Sequence, residues 1–263
     1  MYMQVLAAAA EAAEVKAKFG FWEALNEGGV IAYATVIILA IMSFGSFYIL
    51  FTKLFEQQKI FKQGRSVRQT FWRSNSLKEG AAKLDKNSAY RQIVDDGIQA
   101  QEQHEKLTDP VEAHDWLHGS LARSESAINA KLAGGLPFLA TVGATAPFIG
   151  LFGTVVGIYR ALIKIGSSGS ASIDVVAGPV GEALIMTALG LAVAVPAVLA
   201  YNWLQNRNKV LAQQLGTFSN DVLGYMASGG SVKPATLAAA PAKAAPKKPA
   251  AAPAGGVKTP PKK

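Results

Sequence analysis

The chain has 263 residues, half of them hydrophobic and 17% charged, and it contains no cysteine. Water-soluble globules carry about 25% charged residues, so this composition argues against an ordinary soluble enzyme, while the missing cysteines exclude disulfides, a thiolate nucleophile and thiolate-held zinc or iron–sulfur centres. The formal charge of +8 belongs to the tail: residues 227–263 hold seven lysines and no acid, which leaves the rest of the chain at +1 and gives no basic surface on which to expect a nucleic-acid partner.

Residues 1–27 are alanine-rich with mixed charge and read as an N-terminal interfacial segment, a short surface-lying helix before the first span. Three long charge-free runs follow, at 28–52, 132–159 and 183–206. A helix needs roughly 20 apolar residues to cross ~30 Å of hydrocarbon, so each run reads as a transmembrane helix. The first starts too far from the N-terminus, and is too long, for a simple cleaved signal peptide. Residues 53–131 read as a cytoplasmic helical domain. Ser76-Leu-Lys-Glu79 has the form of a capping box, and Asp109-Pro110-Val-Glu112 that of a helix start. Tyr90, Ile93, Val94, Gly97 and Ile98 keep a helical stripe, and no alternating strand pattern occurs. The domain is expected to extend the first and second spans as long helices.

Residues 160–182 read as a short outside loop, with a Ser/Gly-rich turn at 166–172, leading into the third helix. A cytoplasmic helix follows at 207–226, then an Ala/Pro/Lys-rich tail at 227–263 that lacks the apolar surface to fold. Lys53, Lys59, Lys62, Arg65 and Arg68 crowd the end of the first run, whereas Lys16 and Lys18 face four acids before it. Positive charge marks the cytoplasmic side, so the N-terminus is expected outside and the C-terminus in the cytoplasm. The fold class is therefore all-α and integral to the membrane.

The second and third runs differ from the first. One carries Gly143, Pro147, Gly150, Thr154 and Gly157, the other Ala183, Thr187, Gly190, Ala194 and Ala197, each set at helical spacing along one face. Small residues let helices approach closely in lipid. The threonines either bond their own helix carbonyls in a packing role or line a narrow lumen; spacing leaves both open. Glu182 opens the third span, where an acid suits the helix dipole as well as it would suit a lumen. Pro196 reads as a kink, and Asn202 and Trp203 as interfacial residues. None of the three runs contains an Asp, Glu, Lys, Arg or His. Proton relays in membranes run through such groups, so a proton-handling role requires a partner to supply the carboxylate. His114-Asp115-Trp116-Leu117-His118 has a gapped likeness to a zinc-protease motif, but Asp replaces Glu and His104 is the sole further histidine. No metal, cofactor or enzymatic activity is expected.

Residues 146–158 (APFIGLFGTVVGI) and 177–202 (AGPVGEALIMTALGLAVAVPAVLAYN) resemble the MotA/TolQ/ExbB proton channel family, its ExbB branch above all. Val156 departs from the tryptophan usual in that family after G-T-V. The resemblance implies a homo-oligomeric ring, a pentamer, in a bacterial inner membrane, with the N-terminus, residues 1–27 and the loop at 160–182 periplasmic and the second and third spans facing a central lumen. It implies partners: an ExbD-like single-span protein bearing an intramembrane Asp, and TonB. The implied function is a proton-channel motor that uses proton-motive force to energise uptake of iron chelates and vitamins across the outer membrane. Thr154, Thr187 and Glu182 match the family's proton-pathway positions. A TolQ-like role, and a passive membrane scaffold in which the stripes merely pack helices, are the alternatives; a flagellar stator would need a fourth span.

Overall fold

The computed structural model describes residues 21–108, 111–168 and 173–233. Among them every regular element is helical. α1 runs from Phe21 to Thr70, and a single 3-10 turn, Phe71–Arg73, ends it. α2 (Leu77–Ala82), α3 (Ala89–His104) and α4 (Ala113–Ala133) follow, then α5 (Leu136–Ser168) and α6 (Ile173–Ala227). At 1.5 Å per residue, the 55 residues of α6 reach roughly 80 Å, well beyond a ~30 Å hydrocarbon layer. Three stretches of helix are long and apolar enough to cross a membrane.

The apolar segments of α1, α5 and α6 pack against one another. Leu39 of α1 meets Val142 and Ala146 of α5 and Ala194 and Ala197 of α6, all buried. The opposite faces stay uncovered: Ile41, Phe44 and Tyr48 on α1, Phe148 and Phe152 on α5, and Leu184 and Leu199 on α6 are exposed. A water-soluble protein does not display such continuous apolar faces, whereas a bilayer, as apolar as they are, makes them stable.

Beyond the spans, α1 and α6 continue into a second core with α2, α3 and α4. Val67, Tyr90, Ile93, Val94, Leu121, Leu211, Leu215 and Val222 are buried together there. Phe218 stands at its centre, edge-on to Phe71 at 5.3 Å and to Tyr90 at 5.2 Å between ring centroids. The stripe read from the sequence supplies this core; Tyr90, Ile93, Val94 and Gly97 are buried, with Ala100 in the same row and Ile98 at its edge. Burial pushes the Tyr90 phenol up from its ordinary pKa.

Local chemistry sets the ends. Ser76 Oγ accepts from the Glu79 amide at 3.2 Å, and Glu79 reaches back to the Asn75 amide, one residue before the expected partner. Lys83 and the Asn75 amide hold the Glu79 carboxyl below its usual range. The helix start expected at Asp109 is displaced: residues 109 and 110 lie outside the described residues, and α4 begins at Ala113 after Glu112. The reason is tertiary. Val111 O bonds the ring of His104 at 2.8 Å, and Trp116 Nε1 donates to Ala100 O at 2.8 Å, so the link folds back onto α3 before the helix begins.

The second span does not continue smoothly into its extension. Gly134 and Gly135 separate α4 from α5, and Gly135 has a φ of +85° that favours glycine. Its backbone is tight against Ile49 of α1, 3.1 Å from where a Cβ would stand. α5 also runs on through Gly166 and Ser167, expected as part of a turn, to Ser168; the rest of that turn, 169–172, lies outside the described residues, as do 1–20 and 234–263. α6 passes through Pro179 and Pro196 as one helix.

Candidate functional site

The small-residue stripes of α5 and α6 face each other within one chain. A Cβ on Gly150 would lie 2.7 Å from Met186 O and 3.1 Å from Gly190 Cα, and one on Gly190 would lie 2.7 Å from Ala146 O. The two backbones therefore touch, a geometry glycine alone admits. Above and below this crossing, Gly157 abuts Ala183 and Gly143 lies under Val198. Ala194 is buried beside Ala146, and Pro147 is half-buried next to it.

This antiparallel register places the polar members. Gly153 meets Met186, so Thr154 of α5 and Thr187 of α6 stand at one depth. Thr154 is buried and donates to Leu151 O at 2.6 Å; its oxygen keeps lone pairs with which to accept. Thr187 is half-buried. Glu182 lies five residues earlier on α6, about 7.5 Å along the axis, and is only 4% exposed. Its carboxylate sits against the backbone of Gly28 in α1, so close that a Cβ there would overlap Oε1.

Two sets of polar residues carry no signal in the sequence. Thr35 of α1 is buried at the Thr154 level, its methyl 3.4 Å from a Cβ placed on Gly153, and its hydroxyl bonds Ile31 O. At the other end of the spans, Gln57 is fully buried. Its Nε2 donates to Leu204 O at 3.0 Å and Asn208 Oδ1 at 2.7 Å, and its Oε1 accepts from Arg207 Nε at 2.9 Å. Asn208 in turn donates to Leu132 O at 3.0 Å. Arg207 lies between Phe61 and Trp203, 4.9 and 4.8 Å from their ring centroids. One polar cluster thus joins α1, α4 and α6 where the spans meet the second core. A lone glutamine after an apolar run is ordinary surface chemistry until the fold buries it. The remaining motif, His114 with His118, stacks at 6.4 Å on an exposed face of α4, away from all of these groups.

Comparison with known proteins gives a consistent result. The MotA/TolQ/ExbB proton channel family matches residues 85–217. The Biopolymer transport protein ExbB of Xanthomonas campestris pv. campestris is 37% identical over 213 residues, 77% of this chain and 84% of that protein. That of Neisseria gonorrhoeae is 50% identical over 117 residues, 44% of this chain and 53% of that protein. The Tol-Pal system protein TolQ of Haemophilus influenzae is 31% identical over 212 residues, 78% of this chain and 92% of that protein.

Proposed function

The chain belongs to the MotA/TolQ/ExbB proton channel family, and on that premise we propose that it is the ExbB-like subunit of an inner-membrane motor driven by proton-motive force. In this reading copies of the chain form a pentameric ring. The N-terminus is periplasmic and the C-terminus cytoplasmic. The ring surrounds ExbD-like single-span helices, and the assembly works through TonB on uptake across the outer membrane.

One observation carries the proposal: the three charge-free runs hold no Asp, Glu, Lys, Arg or His, yet Thr154 and Thr187 stand at one depth on adjacent helices with Glu182 beyond them. A proton crossing hydrocarbon needs a titratable group; a partner's intramembrane Asp supplies it. The Thr154 and Thr187 hydroxyls accept from its protonated form or from water; to donate to its carboxylate, the Thr154 hydroxyl turns away from Leu151 O. Because each hydroxyl both donates and accepts, it serves both protonation states, which a carbonyl or an ammonium does not. Glu182 shapes the outer end of this path.

The test is a Thr154→Val and Thr187→Val pair, co-expressed with the ExbD-like partner. Ring assembly, read as native mass, is expected to survive, since valine keeps the shape, while coupled uptake falls about a hundredfold, the low end of what a positioned proton-transfer group contributes. Intact rings with unchanged uptake would refute the role. Complementation separates the TolQ-like alternative, which the 31% identity to TolQ keeps in view: restored uptake in a strain lacking ExbB supports the proposal, and restored detergent resistance in a strain lacking TolQ favours the other.

A further inference from the structure

α1 breaks its helix once among the described residues, and the break lies over Glu182. Gly29 has φ +59° and ψ −156°, far from helical values, so residues 21–28 leave the α1 axis as a separate arm. Three contacts hold that arm down. Leu25 is 2% exposed and packs with Ala32 and Met186. The Tyr33 hydroxyl donates to Asn26 Oδ1 across the break. Gly28 presents bare backbone to the Glu182 carboxylate. The Arg160 guanidinium of α5 rests beside Gly29, 3.7 Å from where its Cβ would be. Val180, two residues before Glu182, points to the other side of α6 and is 39% exposed, so the concealment of Glu182 belongs to the face of α6 turned toward α1.

We propose that the Gly28–Gly29 break folds this N-terminal arm over Glu182 as a shield, with Gly28, Gly29 and Tyr33 as positioning residues that set when the carboxylate meets solvent. Gly28 is required because any Cβ there displaces the carboxylate and also collides with the Ala32 Cβ. Gly29 is required because its φ is costly for any residue with a Cβ. The Tyr33–Asn26 bond is the latch. The shielding stands on this geometry alone. Its consequence, that the arm controls the outer end of the proton path, rests on the role proposed above for Glu182.

The native absence of cysteine makes the test clean. Glu182→Cys and Val180→Cys are introduced singly into the full chain. Each is purified in detergent, where both ends of the bundle meet solvent, and reacted with a charged thiol reagent without partner or proton gradient. The thiol of the Glu182→Cys variant is expected to react about tenfold more slowly than that of Val180→Cys, because it is reached only when the arm opens locally. Adding Tyr33→Phe to Glu182→Cys removes one hydrogen bond and is expected to speed the reaction about fivefold. Adding Gly29→Ala is expected to speed it about five- to thirtyfold. Gly45→Ala, on α1 well beyond the arm, crowds Phe138 of α5; it is the control and is expected to leave the rate unchanged. Equal rates at positions 180 and 182, no response to Tyr33→Phe and Gly29→Ala, or the same acceleration from Gly45→Ala would each overturn the shield. Because no flux is measured, a failure here is distinct from a failure of the transport role, which the threonine variants test.

Discussion

Replacing Gln57 by leucine tests whether the cluster at the inner end of the spans holds the two cores together. The side chains have similar volume, so packing is kept and hydrogen bonding is removed. Gln57 makes three bonds from a fully buried position. The Leu204 carbonyl keeps its helical partner when Gln57 leaves. Asn208 Oδ1, half-buried, loses its 2.7 Å donor, and Arg207 loses a charge-assisted bond while keeping its place between Phe61 and Trp203. An orphaned acceptor costs about 1–3 kcal/mol and a bond to a charged group about 1.5–3; with water relieving part of this at half-buried Arg207, the total is about 2–4 kcal/mol. For a chain of this size that corresponds to a Tm lower by roughly 5–15 °C. Thermal unfolding of the purified chain in detergent, followed by circular dichroism, reads it. Gln63→Leu is the control, since half-buried Gln63 makes a single, solvent-exposed 3.3 Å bond to Asp85; its effect is expected within about 0.5 kcal/mol. Gln57→Leu with Asn208→Leu is expected to cost less than the two single changes together, because the second removes the orphan created by the first. A Gln57→Leu protein that melts with the parent, or no earlier than Gln63→Leu, would refute the reasoning.

Further outcomes follow from other contacts. Gly150→Ile places its Cβ 2.7 Å from the Met186 carbonyl, so α5 and α6 must separate; a loss of about 1–3 kcal/mol is expected in the same melt. Asp221, on the face of α6 beside Arg68 and Gln214, has its carboxyl raised above the ordinary range by burial. Its ionised form therefore opposes folding at neutral pH, and Asp221→Asn is expected to raise Tm there, with the gain shrinking as pH falls through the raised pKa and vanishing below the unfolded value. A gain that instead grew toward acid would show the sign to be wrong. Trp116→Phe removes the bond to Ala100 O at 2.8 Å and is expected to cost about 1 kcal/mol, read as a shifted denaturant midpoint.

The spans were visible in the residues because lipid imposes a rule that needs no partner: about 20 apolar residues without charge, whatever surrounds them. The stripe at Tyr90, Ile93, Val94 and Gly97 was visible for a similar reason, since a helix must bury one face. Helix ends were less so. Asp109 carries a sound N-terminal signal, yet the bonds from His104 and Trp116 across to α3 move the start to Ala113. The break between α4 and α5 rests on Gly135, and a glycine in an apolar run looks the same whether it packs a helix, as Gly150 does, or turns the chain.

The site divides the same way. Thr154, Thr187 and the small-residue stripes stood out by spacing, but spacing could not say what each stripe faces. The structure decides that within the chain they face each other, with the two threonines level, because antiparallel register depends on which backbones touch at Gly150 and Gly190. Gln57, Thr35 and the Gly28–Glu182 contact had no local signature. Their significance comes from burial, and burial is a property of neighbours far along the chain: Gln57 is joined to Leu204 and Asn208 across 147 and 151 residues. What the sequence by itself determined is what solvent and backbone dictate one segment at a time: that the protein is helical, that it lies in a membrane, and that its spans carry no charge. Only the tertiary structure decided which polar groups lose water, because that requires two distant segments to meet.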